Sequence, residues 1–330
     1  MGGVVQVSFA SKARSYRGKG FTIIEMVVSI VVAAIMAMGI VSFIGDSAEG
    51  FAASANRNRL ASSGRTVIDR LALELHNAVP NSIRVTPALQ PGGNQCLELV
   101  PFLGVTTYLN PSFTGGGSSR FEVIDFNPTL RMEDASDLDE ENVYAVIYPI
   151  DTGDLYAGLS TIGPGPIVEV GKLRDTYDND PPPPPTDVCI DALGGMVADA
   201  QGRTTVCLAD GPDVGNAPDD FRFDRRSPVQ RMYLATNPVS FCVVDDKIYR
   251  YENYGFHAVQ CDSDTAACLP DTAVGGRDLI TDRLDNDTLD AFSLVEQSLR
   301  RNAIVSLNLN FTDQGDVVTL KHEVLMRNVP

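Results

Sequence analysis

Gly20-Phe21-Thr22-Ile23-Ile24-Glu25, followed by an almost unbroken apolar run to Ile44, is the stretch on which the reading of this chain turns. A bilayer's hydrocarbon core is spanned by ~20 apolar residues at 1.5 Å rise each, so this run is long enough to cross one. Lys12, Arg14, Arg17 and Lys19 precede it, and no acid occurs among the first twenty residues. Cations gather on the cytoplasmic side of membrane helices, which puts the N-terminal flank there. Glu25 is out of character within the run. A carboxylate at the edge of a membrane helix costs on the order of 2–4 kcal/mol unless paired, so such residues tend to be functional. A plain signal anchor with a snorkelling Glu25 is the simpler alternative, and Ala37-Met38-Gly39 resembles a weak secretory cleavage site.

The 330 residues suffice for one large domain or two small ones, with a sizeable core. The formal net charge is −17, and a leader carrying four cations and no acid makes the remainder more acidic still. Such a balance argues against nucleic acid as a partner and against general affinity for anionic membrane surfaces. It suits a soluble body outside the cytoplasm.

Helical spacing continues past Ile44. Leu60, Val67, Ile68, Leu71, Leu75 and Val79 recur at that period, with charged residues mostly between them, and Pro80 ends the element. The sequence thus predicts a helix over 21–79. Its part at 21–44 is apolar all round and membrane-spanning; the rest is amphipathic, with one face for a globular head. Gly45, Gly50 and Gly64 weaken it, and a break near Gly45 or Gly50 is the competing reading.

From 80 to 330 the pattern is short β-like runs between Gly, Pro, Asn and Asp. Strands are expected at 96–100, 143–148, 239–244 and 247–251, the last two joined by a tight turn at Asp245-Asp246. The clearest hairpin is C-terminal: Leu307, Leu309 and Phe311 alternate with polar residues, Gly315 marks the turn, and Val318, Leu320, Val324 and Met326 resume the alternation. The fold class is α+β, a long helix packed on an antiparallel head. Residues 170–228, with five consecutive prolines at Pro181–Pro185, read as an extended insertion built on a polyproline II spacer.

Cys96, Cys189, Cys207, Cys242, Cys261 and Cys268 form no C-x-x-C pair, which weakens zinc and redox-motif readings. In an exported chain up to three disulfides are the expected use. Six cysteines allow fifteen connectivities. Cys261–Cys268 and Cys189–Cys207 are the natural local staples, leaving Cys96–Cys242, with free buried thiols as the alternative. The sequence has no nucleophile elbow, P-loop, dinucleotide fingerprint or H-E-x-x-H, so no catalytic residue is assigned and no enzyme is expected. Of the three histidines, His76 falls on the amphipathic helix and His257 in a loop, and His322, in phase with Leu320 and Val324, reads as a hydrogen-bonded core or edge residue rather than a catalytic base. No metal or other cofactor is expected. Asp285, Asp287 and Asp290, with Asp262 and Asp264, have the alternate spacing of calcium loops. They lack the glycine and distal glutamate of a full site, and solvated loop acids are the simpler reading.

Gly20-Phe21-Thr22, with Glu25 five residues after the glycine and a basic leader before it, resembles the N-terminus of type IV prepilins and pseudopilins. The resemblance implies cleavage by a prepilin peptidase between Gly20 and Phe21, N-methylation of Phe21, and pairing of Glu25 with a neighbouring subunit's terminal amine. It also implies other pilin subunits and an inner-membrane assembly platform as partners. Asn77–Arg84, Gln95–Glu98, Asn237–Cys242, Ile248–Tyr251, His322–Val324 and Arg327–Pro330 are similar to blocks in the MshO family, minor pilin-like biogenesis proteins of the mannose-sensitive haemagglutinin (MSHA) pilus. That family is in turn similar to the J-type minor pseudopilins of type II secretion. The expectations are a single-pass inner-membrane anchor with a periplasmic head, later assembled into a surface pilus, in a role at or near the tip. A type II secretion pseudopilin and a pilus-associated adhesin head remain the alternatives.

Overall fold

The computed structural model describes residues 20–86, 94–118, 120–124, 143–157, 163–170, 196–198, 202–208, 221–261, 268–270, 276–286, 290–295 and 303–326. The chain divides into two compact units, Met1–Ala55 and Asn56–Pro330. One helix, α1 (Ile23–His76), contributes to both and is assigned as helix without interruption, so neither Gly45 nor Gly50 breaks it. It ends at His76, just before the expected Val79.

In the first unit, α1 shows no buried side chain. Ile24 is 74% exposed and Phe43 71%, and every large apolar residue between them is at least half exposed. It is the one helix among the described residues long and apolar enough to cross a membrane. A helix apolar on all sides has no preferred face to bury, which is the pattern of a segment whose surroundings are apolar too.

In the second unit, the remaining turns of α1 bury Leu60, Gly64, Val67, Ile68, Leu71 and Leu75. These lie three or four residues apart and form one stripe. After α1 come β1 (Arg84–Val85), β2 (Gln95–Leu99), β3 (Phe102–Thr107), β4 (Arg120–Ile124), β5 (Tyr144–Val146) and α2 (Thr152–Tyr156). Then follow β6 (Gly163–Gly165), β7 (Ile167–Glu169), β8 (Met196–Ala198), β9 (Arg203–Cys207), β10 (Phe221–Phe223) and β11 (Arg231–Ala235). The last six are β12 (Val239–Val244), β13 (Lys247–Tyr251), β14 (Arg277–Thr281), β15 (Phe292–Val295), β16 (Ile304–Asp313) and β17 (Asp316–Leu325).

Two sheets, β1-β2-β12-β13-β14 and β15-β16-β17, share a core with the buried stripe of α1. Leu97, Leu99 and Phe241 come from the first sheet and Val305, Leu307, Leu309 and Phe311 from the second. In β16 every second residue is buried, as the period-two alternation dictates. The β16–β17 turn at Gln314-Gly315 has positive φ at both positions, the geometry that suits a two-residue hairpin. Gly64 is where helix and hairpin meet: a Cβ there would lie 2.6 Å from Leu320 Cδ1 and 2.7 Å from Phe311 Cε2. The glycine that weakened the helix in the sequence is the one that lets the sheet approach.

β2 and β12 pair directly, from Leu99↔Val239 to Gln95↔Val243. The chain between them leaves this sheet before returning to it, and most of the expected insertion at 170–228 lies outside the described residues. The strands of the intervening chain pair with one another, in the sheets β3-β11-β5-β7 and β4-β9-β8 and the pair β6–β10, the last parallel. One face of β3-β11-β5-β7 (Ala145, Val168, Met232, Leu234) packs with Phe121, Val123, Val206, Phe221 and Phe223. The opposite face (Tyr144, Val146, Ile167, Tyr233) packs with Val79, Val100, Leu155, Tyr156 and Phe256 and so seats the inserted lobe on the helix-backed one. The proline run lies outside the described residues.

Candidate functional site

The residues singled out at the N-terminus sit at the start of α1. Gly20, Phe21 and Thr22 are exposed and precede the helix, and a Cβ on Gly20 would meet nothing within 4 Å. Thr22 is the N-cap: its carbonyl accepts the first helical bond, from Met26 N–H at 3.1 Å, and its Oγ1 accepts from Glu25 N–H at 3.3 Å. Glu25 is therefore the third helical residue, exposed on the first turn, where the helix dipole favours a negative charge. The spacing Thr22-x-x-Glu25 is that of a capping box, a local signal for where the helix starts. Chemically, the arrangement offers an accessible non-helical Gly20–Phe21 bond and an exposed carboxylate on the first turn of a largely apolar helix.

The head holds a second polar assembly that no local pattern announced. Glu98 is fully buried in β2, and Arg84 Nε donates to its Oε2 at 2.6 Å. Tyr254 OH donates to Glu98 Oε1 at 3.2 Å and lies 2.7 Å from Ser240 Oγ. Arg84 also donates to the carbonyls of His257 and Ala258, and its guanidinium lies 3.6 Å from the ring centroid of Tyr156. Tyr156 OH in turn donates to Ser82 O at 2.8 Å. Burial pushes the Glu98 carboxyl above the usual glutamate range, with Arg84 opposing. Burial, with Glu98 nearby, likewise raises the hydroxyls of Tyr156 and Tyr254. Every partner here is occupied by another protein group, so the assembly reads as a clamp between β1, β2 and the 254–258 loop.

Of the six cysteines, Cys96 bonds to Cys242 directly across the β2–β12 pair, and Cys261 bonds to Cys268. Cys189 and the Cys207 side chain lie outside what is described. His257, Cys261 and Cys268 come close enough to hold a metal, but the disulfide already engages both sulfurs. Asp285 and Asp290 do not join any such group of ligating side chains among the described residues, and Asp262, Asp264 and Asp287 lie outside them. Asn286, between the calcium candidates, is occupied structurally: its Nδ2 donates to Asn308 O and its Oδ1 accepts from Asn310 N–H. His76 ends α1, exposed; His257 Nε2 lies 2.8 Å from Tyr254 O; His322 is exposed on the outer strand β17.

Where α1 first meets the sheets, Arg57 Nε donates to Asp316 at 2.8 Å and Arg59 to Asp313 at 2.5 Å. Asn56 Nδ2 donates to Asp313 O at 3.0 Å. These bonds tie the helix to the β16–β17 turn.

Against known families, residues 16–41 match the prokaryotic N-terminal methylation motif. No curated protein and no solved structure matches the chain.

Proposed function

We propose that this type IV pilin-like prepilin is a minor pilin of an MSHA-type pilus that takes part in initiating or building the filament at or near its tip. The methylation motif makes the chain type IV pilin-like, of a pilus or a pseudopilus, and with the apolar helix fits a membrane-anchored single-pass protein. The coincidence of Gly20, Phe21 and Glu25 with the exposed start of a largely apolar helix supports the pilin-like part of this reading, and the sequence blocks similar to the MshO family support the finer part. In the proposed cycle a prepilin peptidase cuts between Gly20 and Phe21, and Phe21 becomes the N-methylated first residue. The helix then leaves the bilayer for a bundle of other pilin helices. There Glu25 neutralises a neighbour's terminal ammonium, where either charge alone is costly in an apolar bundle. The mechanism is assembly rather than catalysis. Glu25→Ala is expected to leave cleavage largely intact and to impair incorporation, scored by mass spectrometry and by immunolabelling of sheared pili; normal piliation refutes the assignment.

The J-type pseudopilin reading shares this chemistry and differs in the filament served. Loss of the protein abolishes surface pili on the first reading and enzyme export on the second. The lobe inserted between β2 and β12 favours a recognition role in addition, because its strands complete their own pairing without the helix-backed sheets. Binding of glycan or host cells by the head tests that role.

A further inference from the structure

We propose that the head binds an extended peptide segment of a partner protein, which adds as a strand to β15 in the cavity between β15, β1 and β3. The proposal concerns the head alone and rests neither on the processing nor on the filament proposed above. β1, β3 and β15 are each the last strand of a sheet, and Val85, Val105 and Leu294 from these strands line one cavity of about 1030 Å³. In an antiparallel pair, successive residues turn their N–H and C=O alternately toward the partner strand and away from it. Asn308 N–H donates to Ala291 O at 2.8 Å in the β15–β16 register, so Phe292 and Leu294 turn their main-chain groups away from β16. Thr86 N–H donates to Cys96 O at 2.9 Å in the β1–β2 register, which turns Val85 away from β2. Tyr108 N–H donates to Gln230 O at 2.9 Å in the β3–β11 register, which turns Val105 away from β11. No described strand pairs with Leu294, Val85 or Val105 on that outer side.

Phe292 shows what the β15 edge accepts. Its N–H donates to Gln95 Oε1 at 2.9 Å, and its carbonyl accepts from Gln95 Nε2 at 2.8 Å. The side-chain amide of Gln95 does there what a peptide group of an added strand would do. Two residues on, Leu294 offers the same pair of groups to the cavity. Such an edge is a template for another chain, and strand addition takes its affinity from main-chain bonds and its specificity from pockets for alternate side chains. Ile83, Phe102, Leu325 and Met326 supply apolar lining. The charged lining cancels, Arg84 and Arg231 against Asp151 and Asp290 with His76 neutral, so the cavity offers no net field to a polyanion or a polycation. The occupant that matches is a segment without net charge, extended, with apolar residues at alternate positions.

The probe is a displayed library of random heptapeptides, selected on the full-length chain in detergent. Each selected peptide is then synthesised with two twins, N-methylated at odd or at even positions, which keep the side chains and remove the donors of one edge. Selected peptides are expected to alternate apolar residues and to slow deuterium exchange at the Leu294 amide. At least one twin is expected to bind about tenfold more weakly than its parent, the loss of two or three main-chain bonds. Leu294→Pro removes an N–H that the β15–β16 ladder does not use, a place where an edge strand tolerates proline, and is expected to weaken binding with the melting temperature kept. Four results overturn the proposal: no peptide enriched; both twins binding as well as the parent, which is apolar capture alone; an oligosaccharide protecting Leu294 where no peptide does; or a Leu294 amide already protected in the peptide-free chain, which assigns the edge to a segment of this chain.

Discussion

The two stretches of α1 on either side of Asn56 have one backbone conformation and opposite energetics. In the first, Ile35 is 61% exposed, and the glycines at 39, 45 and 50 have no atom within 4 Å of where a Cβ would be. In the second, Leu60, Leu71 and Leu75 are fully buried, and Gly64 is pressed against Phe311 and Leu320. Helix propensity does not separate them; neighbours do. The second stretch is stabilised by its own head through apolar burial. The first has no buried residue and is long and apolar enough to cross a membrane. One element thus serves as a foundation for folding at one end and as an unsatisfied interface at the other.

Paired truncations test that contrast with the largest effect. Leu71→Ala is expected to destabilise the head by about 3 kcal/mol, through lost burial and the cavity left behind. Ile35→Ala is expected to leave the melting temperature of the detergent-solubilised chain unchanged and to act, if at all, on assembly. Equal thermal effects of the two would break the comparison. A smaller difference is expected at the glycines. At Gly64 alanine must displace Leu320 and Phe311, which outweighs its better helix propensity and costs about 1–2 kcal/mol. Gly45→Ala meets open space and should be neutral or slightly stabilising in the same melt.

The smallest expected signal is a pH slope confined to the head. Because burial raises the Glu98 carboxyl, the folded state holds its proton to higher pH than the unfolded chain does. The stability this contributes is fully present below the ordinary glutamate value of 4.5 and is lost as pH rises through the raised folded value. Denaturant titrations of wild type and Glu98→Gln should therefore show the wild-type advantage shrinking as pH climbs from that value. An advantage that grows over the same range contradicts the placement of Glu98.

The parts of this molecule that were legible in sequence are those whose signal is local. The run from Ile23 to Ile44 needs no partner to be recognised, and the period-two alternation through Leu307, Leu309 and Phe311 with a turn at Gly315 marks the β16–β17 hairpin unaided. Distant pairings were not legible in that way. β3 and β11 lie far apart in sequence, and nothing local to either marks the antiparallel register in which they meet. Arg84 and Glu98 each sit in an unremarkable local context, and only the β1–β2 pairing brings them opposite one another. Gly64 carries two meanings, a poor helix former and a close contact, and only the position of Phe311 chooses between them.

The measurement that bears most directly on the account is the intact mass and N-terminal sequence of the protein isolated from its native membranes. The account predicts a chain beginning at N-methylated Phe21. A chain retaining Met1 where the peptidase is present, or one beginning near Gly39, contradicts it.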